Sequence, residues 1–162
     1  MAYETIKLTK HSDVIIEKEA DAAITPGMLL ELNSDDEVLA HDTAGANVVP
    51  IMFALEDELQ GRGIDTDYAA GDQVQVWIPY RGDIVNALLA DDQDITLGEY
   101  LESNGEGRLQ VHAADPGDST TGSVQNAIVG VALETVSSGL GSGSESSAGG
   151  LYYNPRIKVM II

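Results

Sequence analysis

Ile24-Thr25-Pro26-Gly27-Met28-Leu29-Leu30-Glu31 returns 71 residues later as Ile95-Thr96-Leu97-Gly98-Glu99-Tyr100-Leu101-Glu102, and the match runs without a gap to His41 and His112. Two further blocks keep the same order. Val49-Pro50-Ile51-Met52-Phe53-Ala54-Leu55-Glu56 resembles Ala127-Ile128-Val129-Gly130-Val131-Ala132-Leu133-Glu134, and Val74-Gln75-Val76-Trp77-Ile78 resembles Ile157-Lys158-Val159-Met160-Ile161. Three matches in one order, with offsets that grow only through loop insertions, indicate an internal duplication. The chain reads as a single domain over residues 1–162, with an N-terminal arm or first strand at about 1–14, module one at about 15–80 and module two at about 91–162.

Within each module the residues favour strands. Gln73–Ile78 and Arg156–Ile161 alternate apolar with polar side chains, as does Thr5–Lys10, so one face of each can meet a core and the other water. Ala70-Gly71-Asp72, Asn104-Gly105-Glu106-Gly107 and Ser34-Asp35-Asp36 sit between apolar runs and read as hairpin turns. Residues 58–69, 113–124 and 137–150 read as long loops, the last rich in Gly and Ser. One helix is expected at about 83–90 between the modules, because Asp83 can cap it and the pairs Ile84/Leu88 and Val85/Leu89 recur four residues apart. The fold class is all-β, mainly β with one short helix: two related β modules in a compact barrel- or sandwich-like domain.

The chain carries 27 acidic and 8 basic residues for a net charge of −19, a self-repulsion that opposes compaction in dilute buffer. At about 1 M salt the Debye length is about 3 Å, which screens that repulsion and leaves a hydrated acidic surface. The composition is that of a halophilic protein. With 43% hydrophobic residues and recurrent Val/Ile/Leu runs, it is a folded chain rather than a disordered acidic one. No secretory leader and no apolar run long enough for a membrane helix is visible, so a soluble protein without a membrane partner is expected. Only four lysines and four arginines are present, too few and too dispersed for a phosphate backbone, so nucleic acid is not an expected partner.

Motifs for chemistry fail on spacing or ligand count. There is no cysteine, and His11, His41 and His112 lack the closely spaced companions that zinc needs, although His41 and His112 occupy equivalent repeat positions where a metal pair is conceivable. Asp65-Thr66-Asp67 and Asp91-Asp92-Gln93-Asp94 lack the Gly and bidentate Glu of a calcium loop and read as solvated turns. No Gly-x-Ser-x-Gly, P-loop or dinucleotide fingerprint occurs, and no carboxylate pair is singled out for acid/base work. Arg81-Gly82-Asp83 spells an adhesion tripeptide, but at a turn where Gly and a capping Asp have structural reasons. We therefore expect no enzyme, no cofactor and no resident metal.

Recognition residues are better supported. Trp77-Ile78-Pro79-Tyr80-Arg81 and Leu151-Tyr152-Tyr153-Asn154-Pro155-Arg156 set aromatics beside arginines, the residue types that dominate protein interfaces. Trp77 can equally fill the core. The N-terminal segment, with Tyr3, Ile6, Lys7, Leu8 and Lys10, is apolar and basic in an acidic chain and could add as an edge strand to a neighbour, or serve as the domain's own first strand. The candidate partner interface is thus Tyr3, Ile6, Lys7, Leu8, Lys10, Trp77, Tyr80, Arg81, Tyr152, Tyr153 and Arg156.

The pattern Ile-Thr-x-Gly-x-x-Leu-Glu at 24–31, Val-Gly-Val-Ala-Leu-Glu at 129–134 and the strand at 156–162 resemble the decoration, or cement, proteins of tailed viruses. The resemblance spans both repeats and rests on glycine turns and aliphatic strands; the doubled module and the long Gly/Ser loop depart from single-module members. It implies an all-β protein on the outer surface of an HK97-type capsid, made in the host cytoplasm, bound to the major capsid protein and self-associated as a trimer. The acidic composition points to viruses of halophilic archaea. Rival readings are a virion-tail or cell-surface β module binding carbohydrate or protein, and a trimeric all-β hydrolase.

Overall fold

The computed structural model describes residues 4–11, 13–113, 126–137 and 156–162. The chain forms β1 (Lys7–Thr9), β2 (Val14–Glu19), β3 (Leu30–Leu32), β4 (Val38–Ala40), β5 (Phe53–Ala54), β6 (Gln73–Ile78), β7 (Ile84–Leu88), β8 (Tyr100–Ser103), β9 (Leu109–Val111), β10 (Ile128–Ala132) and β11 (Arg156–Ile161), with one 3-10 turn at Glu58–Gln60. All strand pairs are antiparallel. The sheets stay open and do not close into a barrel.

The duplication is visible in the register. The second half runs β7-β11-β10-β8-β9 across its sheet, and the first runs β2-β6-β5 with the β3-β4 hairpin joined to β5 through the Leu29/Phe53 bridge. Equivalent backbone bonds recur: Gly27 N–H donates to Ala54 O as Gly98 N–H does to Ala132 O, and Leu55 N–H donates to Gln75 O as Leu133 N–H does to Lys158 O, each at 2.8 Å. The hairpin turns match as well. Asn33 Oδ1 accepts from the Asp35 and Glu37 amides, and Asn104 Oδ1 from those of Glu106 and Arg108. The equivalent position of each turn is left-handed, Asp36 at φ 66 and Gly107 at φ 71, and the second turn adds Gly105 at φ 84.

The expected helix at 83–90 is instead strand β7, the first strand of the second half and the counterpart of β2. Flanked by β1 and β11, it has Val85 to Leu88 all buried. A short apolar run covered on both faces produces four-residue recurrences without helical periodicity. Asp83 does not cap a helix: its carboxylate accepts from the His11 and Tyr80 amides. The duplicated unit therefore starts about seven residues earlier in the second half than the 91–162 boundary suggested.

Two clusters form the interior. Ala20, Ile24, Leu30, Val38, Met52, Ala54, Tyr68, Val74 and Val76 are the first half's own core. The second half's inward residues, among them Val85, Leu101, Leu109, Val129, Ile157 and Val159, merge with Leu29, Phe53 and Trp77 from the first half into one larger cluster. That shared cluster makes the halves one structural unit.

A candidate docking corner

β1 is held along β7, with Lys7 opposite Val85 and Thr9 opposite Ile84. Ile6, fully buried, anchors it: its amide donates to Glu56 Oε2 at 3.1 Å and its carbonyl accepts from Asn86 N–H at 2.8 Å, while Thr5 Oγ1 donates to the other Glu56 oxygen. The N-terminal segment is thus the domain's own edge strand. Beyond it, Lys7 and Lys10 converge on Asp13, at 3.2 and 2.6 Å. The Lys10 ammonium first, and Lys7 second, hold the Asp13 carboxyl below the usual aspartate range.

The turn between β6 and β7 meets this segment. Fully buried Asp83 stitches the two together, accepting from the His11 amide and, at 2.7 Å, from that of Tyr80. Gly82 takes φ +94 with the His11 ring beside it. Tyr80 is left 66% exposed, and Arg81, beside it in sequence, is exposed as well. A shallow hollow of about 340 Å³ lies alongside, lined by Thr5, Lys7, Leu8, Thr9, Ile84 and Lys158. Of the candidate interface residues, Lys7, Leu8, Lys10, Tyr80 and Arg81 therefore gather at one place.

Three others are corrected. Trp77 is fully buried in the shared core, and Ile6 is buried under β1, so neither can touch a partner. The Arg156 side chain, 6% exposed, pairs with Asp65 at 2.7 Å and donates to Pro26 O at 3.1 Å and to Ile64 O, which pins first-half loops onto β11. Tyr3, Tyr152 and Tyr153 lie outside the described residues.

The repeated histidines have diverged. His112 Nδ1 meets Glu102 Oε2 at 2.8 Å, and the buried Glu102 carboxylate also accepts from Gln110 and Asn126, each at 3.0 Å. His41, also buried, turns to the other half: Nδ1 lies 2.8 Å from Ser103 Oγ and Nε2 3.3 Å from Asn47 O, with Glu31 3.7 Å away. Ser103 Oγ also accepts from Gly105 N–H, at 3.1 Å. A serine beside a histidine has nucleophile spacing, but Ser103 is fully buried. Among the described residues no three His, Asp or Glu side chains gather as a metal site. Repeat position alone could not show this strut, because Ser103 and Asn47 are far from His41 in sequence or lie outside the matched block.

A second hollow of about 260 Å³ beside His41 is lined by Leu30, Glu31, Leu32, Asn47, Val48, Val49, Pro50 and Met52. Among the described residues no helix is long and apolar enough to cross a membrane. Compared with known proteins, the chain matches no family model and no curated sequence.

Proposed function

We propose that this chain is a structural, non-enzymatic virion protein that binds the outside of a viral capsid, through the major capsid protein, and stabilises the shell by bridging capsomers. The docking corner carries the reading: an acidic chain sets Lys7, Lys10, Tyr80 and Arg81 together on a rigid, Asp83-stitched edge, next to a hollow with an apolar rim. Aromatic and arginine side chains on a rigid support are the usual anchors of protein interfaces. Two fused modules with one shared core suit a passive clamp, since binding by many copies shifts the assembled shell by mass action, and each contact raises the effective concentration of the next.

The −19 charge fits a high-salt environment, where exposed ion pairs contribute little and apolar contact dominates attachment. The test is to add purified chain to shells stripped of it, in molar salt, and to image them by cryo-microscopy. Density on the outer shell at capsomer seams, reduced by Tyr80→Ala with Arg81→Ala, is the expected result; density on the tail, or no binding, sinks the proposal.

A further inference from the structure

The outward face of the six-stranded sheet carries a row that crosses five strands in register: Thr9 on β1, Ile84 on β7, Met160 on β11, Val131 on β10 and Tyr100 on β8. Ile84, Met160 and Val131 are half-buried, Tyr100 is 51% exposed, and Ile128 next to the row is 37% exposed. No side chain in the row is charged at neutral pH, although the chain holds 27 carboxylates. Glu102, the nearest carboxylate on the same strands, is 1% exposed and bonded to His112, Gln110 and Asn126.

The first half shows what such a row is for. Its counterparts, in the same register, are Ile15, Trp77, Phe53 and Leu29, and the last three are fully buried in the core shared with the second half. One row of the duplicated template is an interior surface; its twin is left outside.

We infer that the row Ile84–Met160–Val131–Tyr100 is covered by the same row of a second copy of this chain, in a two-fold face-to-face contact. In such a contact the row meets only residues of the same row, so a charged row would set like against like. An uncharged row on a chain of charge −19 is what self-docking requires, whereas the Lys7, Lys10 and Arg81 corner suits an unlike partner. With the axis between Met160 and Val131, Tyr100 of one copy lies over Ile84 of the other, an aromatic-on-aliphatic pair. Lys7 and Lys158, which share the hollow with Thr9 and Ile84, stay at the rim, where salt screens them.

Sedimentation of the full chain in molar salt at neutral pH tests this. The expected result is a dimer, weakened about a hundredfold by Met160→Glu or Val131→Glu, with circular dichroism unchanged, because an unpaired carboxylate would be buried in the contact. Met160→Leu should keep the dimer. The chain has no cysteine, so Met160→Cys should be joined between copies by a bifunctional maleimide long enough to span the roughly 10 Å between stacked sheets, while Leu59→Cys, on a fully exposed site, should not. A monomeric wild type, including one whose segments 114–125 or 138–155 cover the row, overturns the inference, as does a trimer indifferent to both glutamate variants. The two readings share Thr9 and Ile84, which line the hollow, but their tests separate: a dimer that ignores shells sinks only the capsid reading, and a shell-binding monomer sinks only this one.

Discussion

The two halves share strand order, register and turn geometry, yet they treat one equivalent row of side chains in opposite ways. Trp77, Phe53 and Leu29 are fully buried, while Met160, Val131 and Tyr100 lie at the surface. Backbone pairing is therefore a property of the module, and burial is a property of its place. The residue types follow the difference: the covered position is filled by Trp77, and its twin at the surface is Met160.

The sharpest way to break this comparison is truncation at the twin positions. Trp77→Ala should cost about 3–5 kcal/mol and Met160→Ala about 1 kcal/mol or less, read from guanidinium unfolding in molar salt. Equal losses would mean that the rows are equally buried and the asymmetry is absent.

A smaller effect separates the cores by pH. Tyr68, beside Ile24, stands where the second half has Val136 beside Ile95. Burial pushes its phenol from 10.0 up to about 12, and its hydroxyl donates to Leu55 O at 2.9 Å. A group whose folded pKa is raised contributes stability that is complete below the unfolded value and lost as pH rises through the folded one. Stability should thus fall between pH 10 and about 12. Tyr68→Phe should cost about 1 kcal/mol at pH 7 but flatten that alkaline loss, measured as Tm against pH.

A third contrast concerns the twin turns. Asp36 holds φ 66 with a side chain, paired to Lys18 at 2.5 Å, where the second half uses Gly107. Asp36→Gly should change stability by less than about 1 kcal/mol, relief of the left-handed strain opposing loss of an exposed ion pair. Gly107→Ala should destabilise by about 1–3 kcal/mol, since its Cβ would lie 2.9 Å from the Ala40 Cβ and 3.2 Å from Leu29 O. Chemical denaturation of both variants distinguishes the two turns.

Much of the architecture was legible because it is local. The alternation in Gln73–Ile78 and Arg156–Ile161 gives β6 and β11, and Asn104-Gly105-Glu106-Gly107 gives the β8–β9 turn. β7 was misread because its neighbours on both sides, β1 and β11, come from opposite ends of the sequence, and burial on both faces erases the two-residue period. The corner was legible in part. Lys7, Leu8, Lys10, Tyr80 and Arg81 carry chemistry that favours the surface, whereas the exposure of Trp77 and Arg156 depends on which half lies over them. The asymmetric row was hidden for the same reason: nothing within a module says which copy will be covered.

β11 deserves a last thought as a matter of timing. It follows every other described strand, yet it lies in the middle of the six-stranded sheet, between β7 and β10. Without Arg156–Ile161, β1-β7 and β10-β8-β9 are linked only by the Leu89/Leu109 bridge. The first half closes its sheet between β2 and β6 and draws its own core from earlier residues, whereas the second half's sheet is joined only when the chain returns over about seventy residues from β7 to β11. In the order of synthesis, the strand that brings Ile157, Val159 and Ile161 to the core shared with Trp77 therefore comes last among the described strands.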